Sequence, residues 1–183
     1  MKKVDLSKFD NSWYEVGSII RRVLWYISNF IFFKTLIPYP YKLKVFILKF
    51  FGAKVGKSVV IKPDVNIKFP WFLEIGDNVW IGENAWIDNL TWVKIGNNVC
   101  ISQGAYICTG NHNYKKEGFD LIVKPVIIED GVWIGAKSVV CPGIRMKNHS
   151  ILTVCSILNT DAEEYTIYRG NPAQPIRKRI IED

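Results

Sequence analysis

The chain has 183 residues, 49% hydrophobic and 22% charged, which is enough mass for one packed domain and too apolar a composition for a disordered chain. Lys and Arg number 24 against 17 Asp and Glu, and the resulting net charge of +7 favours anionic partners. Only two histidines occur, His112 and His149, too few for a metal site that needs three imidazoles from one chain, so no metal is expected.

In chain order, the opening MKKVDLSKFD is basic and then polar, with no apolar core or small-residue cleavage site to mark a secretion signal. Residues 18–33 and 42–51 read as two helices separated by the breaker Ile37-Pro38-Tyr39-Pro40. The longest nearly apolar stretch, 23–33, is 11 residues long, well short of the roughly 20 that span a bilayer. Basic Arg21, Arg22, Lys34, Lys42, Lys44 and Lys49 stand among many aromatics here. Two roles are open for residues 1–54, and they are compatible: a cap over the first layer of the domain beyond residue 54, or peripheral contact with a membrane surface.

From Val55 onward an aliphatic residue returns every six positions: Val55, Ile61, Ile67, then Ile75, Ile81, Ile87, then Ile95, Ile101, Ile107. The register resumes at Ile128, Ile134, Val140, Met146, Leu152 and Leu158. Glycine often comes next, as at Gly56, Gly76, Gly82, Gly96 and Gly135. A period of six fits neither a single helical face nor an ordinary alternating strand. It fits a short strand and a tight turn, with Gly or Asn permitting the turn, and three such sides closing a coil of about 18 residues. The spacing therefore predicts an all-β solenoid over residues 55–160, with the two-residue surpluses after Ile67 and Ile87 at corners. Between Ile107 and Ile128 the register is suspended, and residues 108–125 leave the coil as one long loop excursion carrying His112. Loops that interrupt a regular scaffold are where function concentrates. Residues 161–183 read as a C-terminal tail.

These repeats, with IGENAWIDN, TGNHNY, VWIGAKSVVCPGI and YRGNPAQPIRKR, resemble the hexapeptide-repeat acyltransferases. The likeness is greatest to the acetyltransferases of colanic acid biosynthesis and more distant to maltose and galactoside O-acetyltransferases. The resemblance implies a left-handed parallel β-helix, a homotrimer with active sites at subunit interfaces, and acetyl-CoA as acyl donor without a metal. It carries the general base onto His112 and coenzyme contacts onto Ala136, Val154, Asn159, Thr160 and Arg177, with an acceptor-side position at Asp88. Gln174 stands where the sugar acetyltransferases carry a further Arg.

An alcohol is a poor nucleophile at neutral pH, and an imidazole, ordinarily near pKa ~6.5, can take its proton in the transition state. His112 is placed for that role, whereas His149 falls at a coil corner as an exposed turn residue. Trp133 should face outward, to wall the coenzyme channel or to pack on a neighbouring subunit. Asp88 either orients the base or acceptor or closes a turn, and Arg177 either meets the coenzyme phosphates or is solvated with Lys178 and Arg179. Trp71, Trp80, Trp86 and Trp92 read as packing or interface residues near corners, and Cys108 as a small packing residue. The four cysteines lack CxxC spacing and read as free thiols of a cytoplasmic protein, at most peripheral to the inner membrane face, and no nucleic-acid module is seen. The expected activity is acetylation of a sugar hydroxyl in surface-glycan synthesis. Another small acceptor, or a non-catalytic scaffold, are the alternatives.

Overall fold

The computed structural model of the chain describes residues 2–182. The hexad folds into a parallel β-solenoid in which each coil runs through three short strands, one in each of three sheets of five, seven and five strands. Equivalent residues stack in register, Val55 on Ile75, Ile75 on Ile95, Ile95 on Ile128 and Ile128 on Met146. All fifteen register residues are buried, eleven of them being Ile67, Ile81, Ile87, Ile101, Ile107, Ile128, Ile134, Val140, Met146, Leu152 and Leu158 at 1% exposure or less. Each such side chain contributes about 1.5–3 kcal/mol by leaving water, so the ladder is the main stabilising element.

Gly and Asn divide the turn between them, a finer arrangement than the spacing suggests. The glycine after the inward residue answers to close approach: a Cβ on Gly76 would lie 2.7 Å from the backbone carbonyl of Gly96 in the next coil. The positive φ falls instead two residues later, at Asn78, Asn84 and Asn98, where asparagine tolerates the left-handed region.

The outward rows of the three sheets differ. The first sheet presents charge, with Lys54 and Lys94 on Glu74 at 2.9 and 3.7 Å and Arg145 on Glu129 at 2.6 Å. The second presents Trp80, Cys100 and Trp133, and the third Trp86, Tyr106 and Val139. Trp80 and Trp86 thus stand on the flats of the prism, whereas Trp71 is buried in a short turn, Pro70–Phe72, at a corner.

All the surplus residues fall at one corner, between the third and first sheets. The chain bulges there after Ile67, again after Asp88, and a third time as the excursion that begins after the strand Tyr106–Cys108 and rejoins at Val126–Ile128. The bulges stack on one another: buried Asn89 accepts from Phe69 N at 3.0 Å, and the Thr109 hydroxyl donates to Asp88 O at 3.0 Å.

The helices α1 (Ile19–Phe32) and α2 (Tyr41–Phe50) close the first coil, with Trp25, Phe33, Leu48 and Phe51 extending the core. Ser18 caps α1 by accepting from Arg21 N. Lys44 is turned inward, where its Nζ donates to Lys62 O at 2.9 Å and burial lowers its pKa. Val16 packs against this core, but residues 5–14 do not join the cap. They run along the bulged corner to the excursion. At the opposite end, Thr166–Gly170 and Ala173–Lys178 form an antiparallel pair that extends the second sheet, so most of the segment read as a tail is paired backbone.

Candidate active site

The excursion folds as a β-hairpin, Gly110–His112 against Leu121–Val123, with a tip formed by residues 113–120. The His112 ring stacks on Phe119 with centroids 4.6 Å apart and planes 8° from parallel. Its Nδ1 lies 2.9 Å from the Phe119 carbonyl oxygen. A carbonyl can only accept, so this contact puts a proton on Nδ1 and leaves the Nε2 lone pair free to receive another. The neutral ring is thereby held in the tautomer a general base requires.

The tip that supplies this carbonyl is tied down from the far end of the chain. Asp5 N donates to Glu117 O at 2.9 Å, Lys8 pairs with the Glu117 carboxylate at 2.7 Å, and Asp10 N donates to Asp120 Oδ1 at 3.1 Å. Gly118 is buried here, and a Cβ on it would collide with the Lys8 carbonyl oxygen, so the position takes glycine. Phe9 reaches the imidazole itself, with ring centroids 6.0 Å apart. Lys116 hydrogen-bonds the Asp120 carboxylate and, with Asp10 N, holds its pKa below the usual range.

Asp88 stands at the root of the hairpin. Its carbonyl accepts from Thr109 N and from the Thr109 hydroxyl, while its carboxylate accepts from the Tyr106 hydroxyl at 3.0 Å. It therefore does more than close a turn. Tyr14 of the N-terminal segment donates to Leu90 O beside it, and burial together with the Asp88 charge pushes the Tyr14 phenol up to about 12. Tyr106 is raised as well, chiefly by burial. Both phenols thus stay protonated as donors at neutral pH. Cys108 is half-buried, with its thiol 3.1 Å from Gly110 O, and serves to pack the hairpin root.

The other residues singled out in the sequence fall into two places. Ala136 and Val154 occupy equivalent corner positions on successive coils, between the second and third sheets, joined by Cys155 N donating to Ala136 O at 2.9 Å. Trp133 is 45% exposed on the second sheet, its indole N–H donating to the Ser102 hydroxyl at 2.9 Å. Arg177 lies on the last strand of that sheet opposite Ile167, in the same outward row as Trp133, and is exposed like Gln174. Asn159 and Thr160, also exposed, follow the strand Ile157–Leu158 and so lie at the corner from which the hairpin springs. Within one chain the width of the third sheet separates Trp133, Ala136, Val154 and Arg177 from His112, Asp88, Asn159 and Thr160. His149 does occupy a corner turn at φ +57°, but it is half-buried and packed against Tyr165 with ring centroids 4.8 Å apart and planes tilted by 31°, so it is structural. Among the described residues no group of three or more His, Cys, Asp or Glu is arranged to hold a metal ion.

Phe9, Tyr14 and Phe119 are the residues of this neighbourhood that the sequence does not reveal. Phe9 pairs with His112 and Tyr14 with Leu90, 76 positions away in the latter case and farther in the former, with no repeat to mark either pairing.

The model for the hexapeptide repeat of succinyl-transferase matches residues 73–108 and 125–152, stopping on either side of the hairpin. The Escherichia coli (strain K12) protein WcaF, named as a colanic acid biosynthesis acetyltransferase, is 33% identical over 164 residues, covering 90% of each chain. The galactoside O-acetyltransferase of the same organism is 29% identical over 136 residues, 72% of this chain and 66% of that protein. Among solved structures, the hexapeptide-repeat acetyltransferase VCA0836 of Vibrio cholerae O1 biovar eltor, crystallised with acetyl coenzyme A, superposes with a TM-score of 0.80 at 21% identity over 91% of this chain and 93% of its own. The maltose O-acetyltransferase of Clostridium difficile 630 gives 0.80 at 23% identity, over 89% and 88%. With a relative this similar over nine-tenths of both lengths, and with the hexad, the hairpin and its histidine in place, the chain belongs to the hexapeptide-repeat acetyltransferases.

Proposed function

We propose that the protein transfers an acetyl group from acetyl-CoA to a hydroxyl of a carbohydrate, in the synthesis of an extracellular or surface glycan, with His112 as general base. The observation that carries this reading is the Phe119 carbonyl on His112 Nδ1, which leaves Nε2 as the acceptor. The acceptor hydroxyl gives its proton to Nε2 as its oxygen attacks the thioester carbonyl carbon. The tetrahedral intermediate then expels the coenzyme thiolate, which takes the proton back from the imidazolium. No acyl-enzyme forms, and the acetyl ester and free CoA balance the reaction. Asp88, with its carboxylate beside two protonated phenols, is the acceptor-side residue.

For the donor, Ala136 and Val154 offer small side chains at stacked corners, along which an extended pantetheine chain can run. Trp133 walls this path and Arg177 supplies a cation for phosphate. Asn159 and Thr160 belong to the opposite corner, as His112 does. The two groups complete one site when the edge of one chain meets a different edge of the next, and a homotrimer provides that closed, heterologous arrangement. The outer rows fit it: two sheets present aromatic and aliphatic residues for burial, and the first remains charged. The free thiols, two of them exposed, suit the reducing cytoplasm.

The test is CoA release against a panel of sugar acceptors. His112→Ala should lower kcat on the order of 10²–10⁴-fold while acetyl-CoA binding, measured by calorimetry, is kept. Undiminished turnover by that variant would remove His112 from the chemistry, and failure of the native chain to bind acetyl-CoA would remove the reaction.

A further inference from the structure

The positive charge of the chain is not spread evenly. Between residues 16 and 63 there are nine Lys and Arg and no Asp or Glu, so the rest of the sequence, with 15 basic and 17 acidic residues, is net negative. The whole surplus of +7 therefore belongs to the helical end and the first coil. Three of these cations, Lys34, Lys42 and Lys49, are exposed and lie on or beside α1 and α2.

The same end exposes its apolar side chains. On α1, Trp25 and Asn29 face the protein, and the opposite side carries Ile20, Leu24, Ile27 and Ile31, four residues at helical spacing. Ile20 is 74% exposed, Leu36 in the connection to α2 is 84% exposed, and Phe50 at the end of α2 is 76% exposed. Apolar surface on this scale, with Lys34, Lys42 and Lys49 exposed about it and Asp64, whose N–H donates to Thr35 O at 2.9 Å, as the acidic residue at its edge, marks a docking face. A cavity of about 600 Å³ between α1 and the third sheet continues the field, lined by Arg22, Lys34 and Lys68 and by no carboxylate.

The occupant is set by charge and length. Two copies meeting through this face would set three exposed lysines of each against those of the other, with Asp64 the one carboxylate at the edge to offset them. A helix of 14 residues is about 21 Å long, too short to cross the ~30 Å hydrocarbon core, and no helix among the described residues is long and apolar enough to do so. An amphipathic helix with lysines at its rim, lying flat, is suited to the interface of an anionic bilayer.

We propose that α1, its connection to α2 and the outer side of α2 seat the protein on an anionic membrane surface, with the apolar residues entering the interface and Lys34, Lys42 and Lys49 meeting lipid phosphates. Residues 5–14 take no part, since they are held by the His112 hairpin and the bulge at Leu90. The orientation brings the site to a membrane without a membrane-spanning segment, and it stands or falls independently of the acetyl acceptor.

Co-sedimentation of the full chain tests it, with vesicles of phosphatidylcholine alone or with one third phosphatidylglycerol. Binding is expected only to the anionic vesicles, weakened on the order of 100-fold in the Lys34→Ala/Lys42→Ala/Lys49→Ala variant and reduced by high salt. Leu24→Ser/Ile27→Ser, both exposed, should lose binding with an unchanged circular-dichroism melt. Absence of binding to anionic vesicles overturns the proposal, as does equal binding by the Lys34→Ala/Lys42→Ala/Lys49→Ala variant. A change of oligomeric mass by light scattering in the Leu24→Ser/Ile27→Ser variant overturns it too, by making the face a contact between copies.

Discussion

The coils and the His112 hairpin are built by opposite means. In the coils each inward residue rests on its equivalents in the coils above and below, in pairings such as Ile81 on Ile101 and Ile101 on Ile134, so a single rule repeated along the chain specifies the whole core. The hairpin obeys no such rule. Its tip is fixed by Asp5, Lys8, Phe9 and Asp10, reaching back from the other end of the chain, largely through backbone groups and exposed charges. The coils bury apolar area, which stabilises the fold. The hairpin buries little and instead fixes one imidazole. Stability and catalytic geometry should therefore be separable by mutation.

The largest effect should come from the coils. Ile134 is fully buried in the middle of the second sheet, paired on either side with Ile101 and Leu152. Ile134→Ala should destabilise by about 2–5 kcal/mol, read as a lower midpoint in urea, because the rigid stack cannot collapse onto the cavity. Activity below the melting transition should be retained. A loss under 1 kcal/mol would mean the ladder is not the main stabilising element.

This division also explains what could be read from the sequence. The fifteen register positions were legible because a solenoid places the same demand on the same phase of every coil, and all fifteen are buried. The excursion was legible as a break in that demand, and His112 by lying in the break. Lys44 was not, because a lysine on an amphipathic helix ordinarily reaches water, and only the free carbonyl of Lys62 explains its inward turn. The contacts of Phe9 and Tyr14 were hidden because each is made once, across a long separation, by residues that look like ordinary surface aromatics. The role of Phe119 was hidden because it acts through its carbonyl as well as its ring, and residue type says nothing of where a carbonyl points. The separation of Trp133, Ala136, Val154 and Arg177 from His112 and Asp88 by the third sheet needed the coil geometry, which fixes the corner each residue occupies.

The next effect should appear in rate, not in stability. Phe9 lies against the imidazole at a tilt of 52°, with ring centroids 6.0 Å apart, and is 39% exposed. Phe9→Ala removes an aromatic contact of the kind that contributes about 0.5–1.5 kcal/mol, and should lower kcat about two- to tenfold. The Michaelis constant for acetyl-CoA and the urea midpoint should hardly move, and Phe9→Tyr should restore the rate. A shift of the midpoint as large as that of Ile134→Ala would show that the N-terminal segment belongs to the core, and the contrast between the two regions would fail.

The smallest effect separates the two ways in which the segment grips the hairpin tip. Lys8 and Glu117 form an ion pair at 2.7 Å, with the lysine side chain 55% and the glutamate 35% exposed. Pairs in such surroundings contribute at most about 1 kcal/mol and are screened by salt. Beside it, the Asp5 N–H to Glu117 carbonyl bond at 2.9 Å and the fit of buried Gly118 beneath the Lys8 carbonyl do not depend on any side-chain charge. Lys8→Ala keeps both of these backbone contacts and should cost less than a twofold change in kcat, with the difference vanishing in 0.5 M salt. Gly118→Ala keeps the ion pair's side chains but drives a methyl into the Lys8 carbonyl, so its effect on kcat should exceed that of Lys8→Ala and persist in salt. If Lys8→Ala proved the more damaging of the two, the grip would be electrostatic, and the setting of His112 would vary with ionic strength.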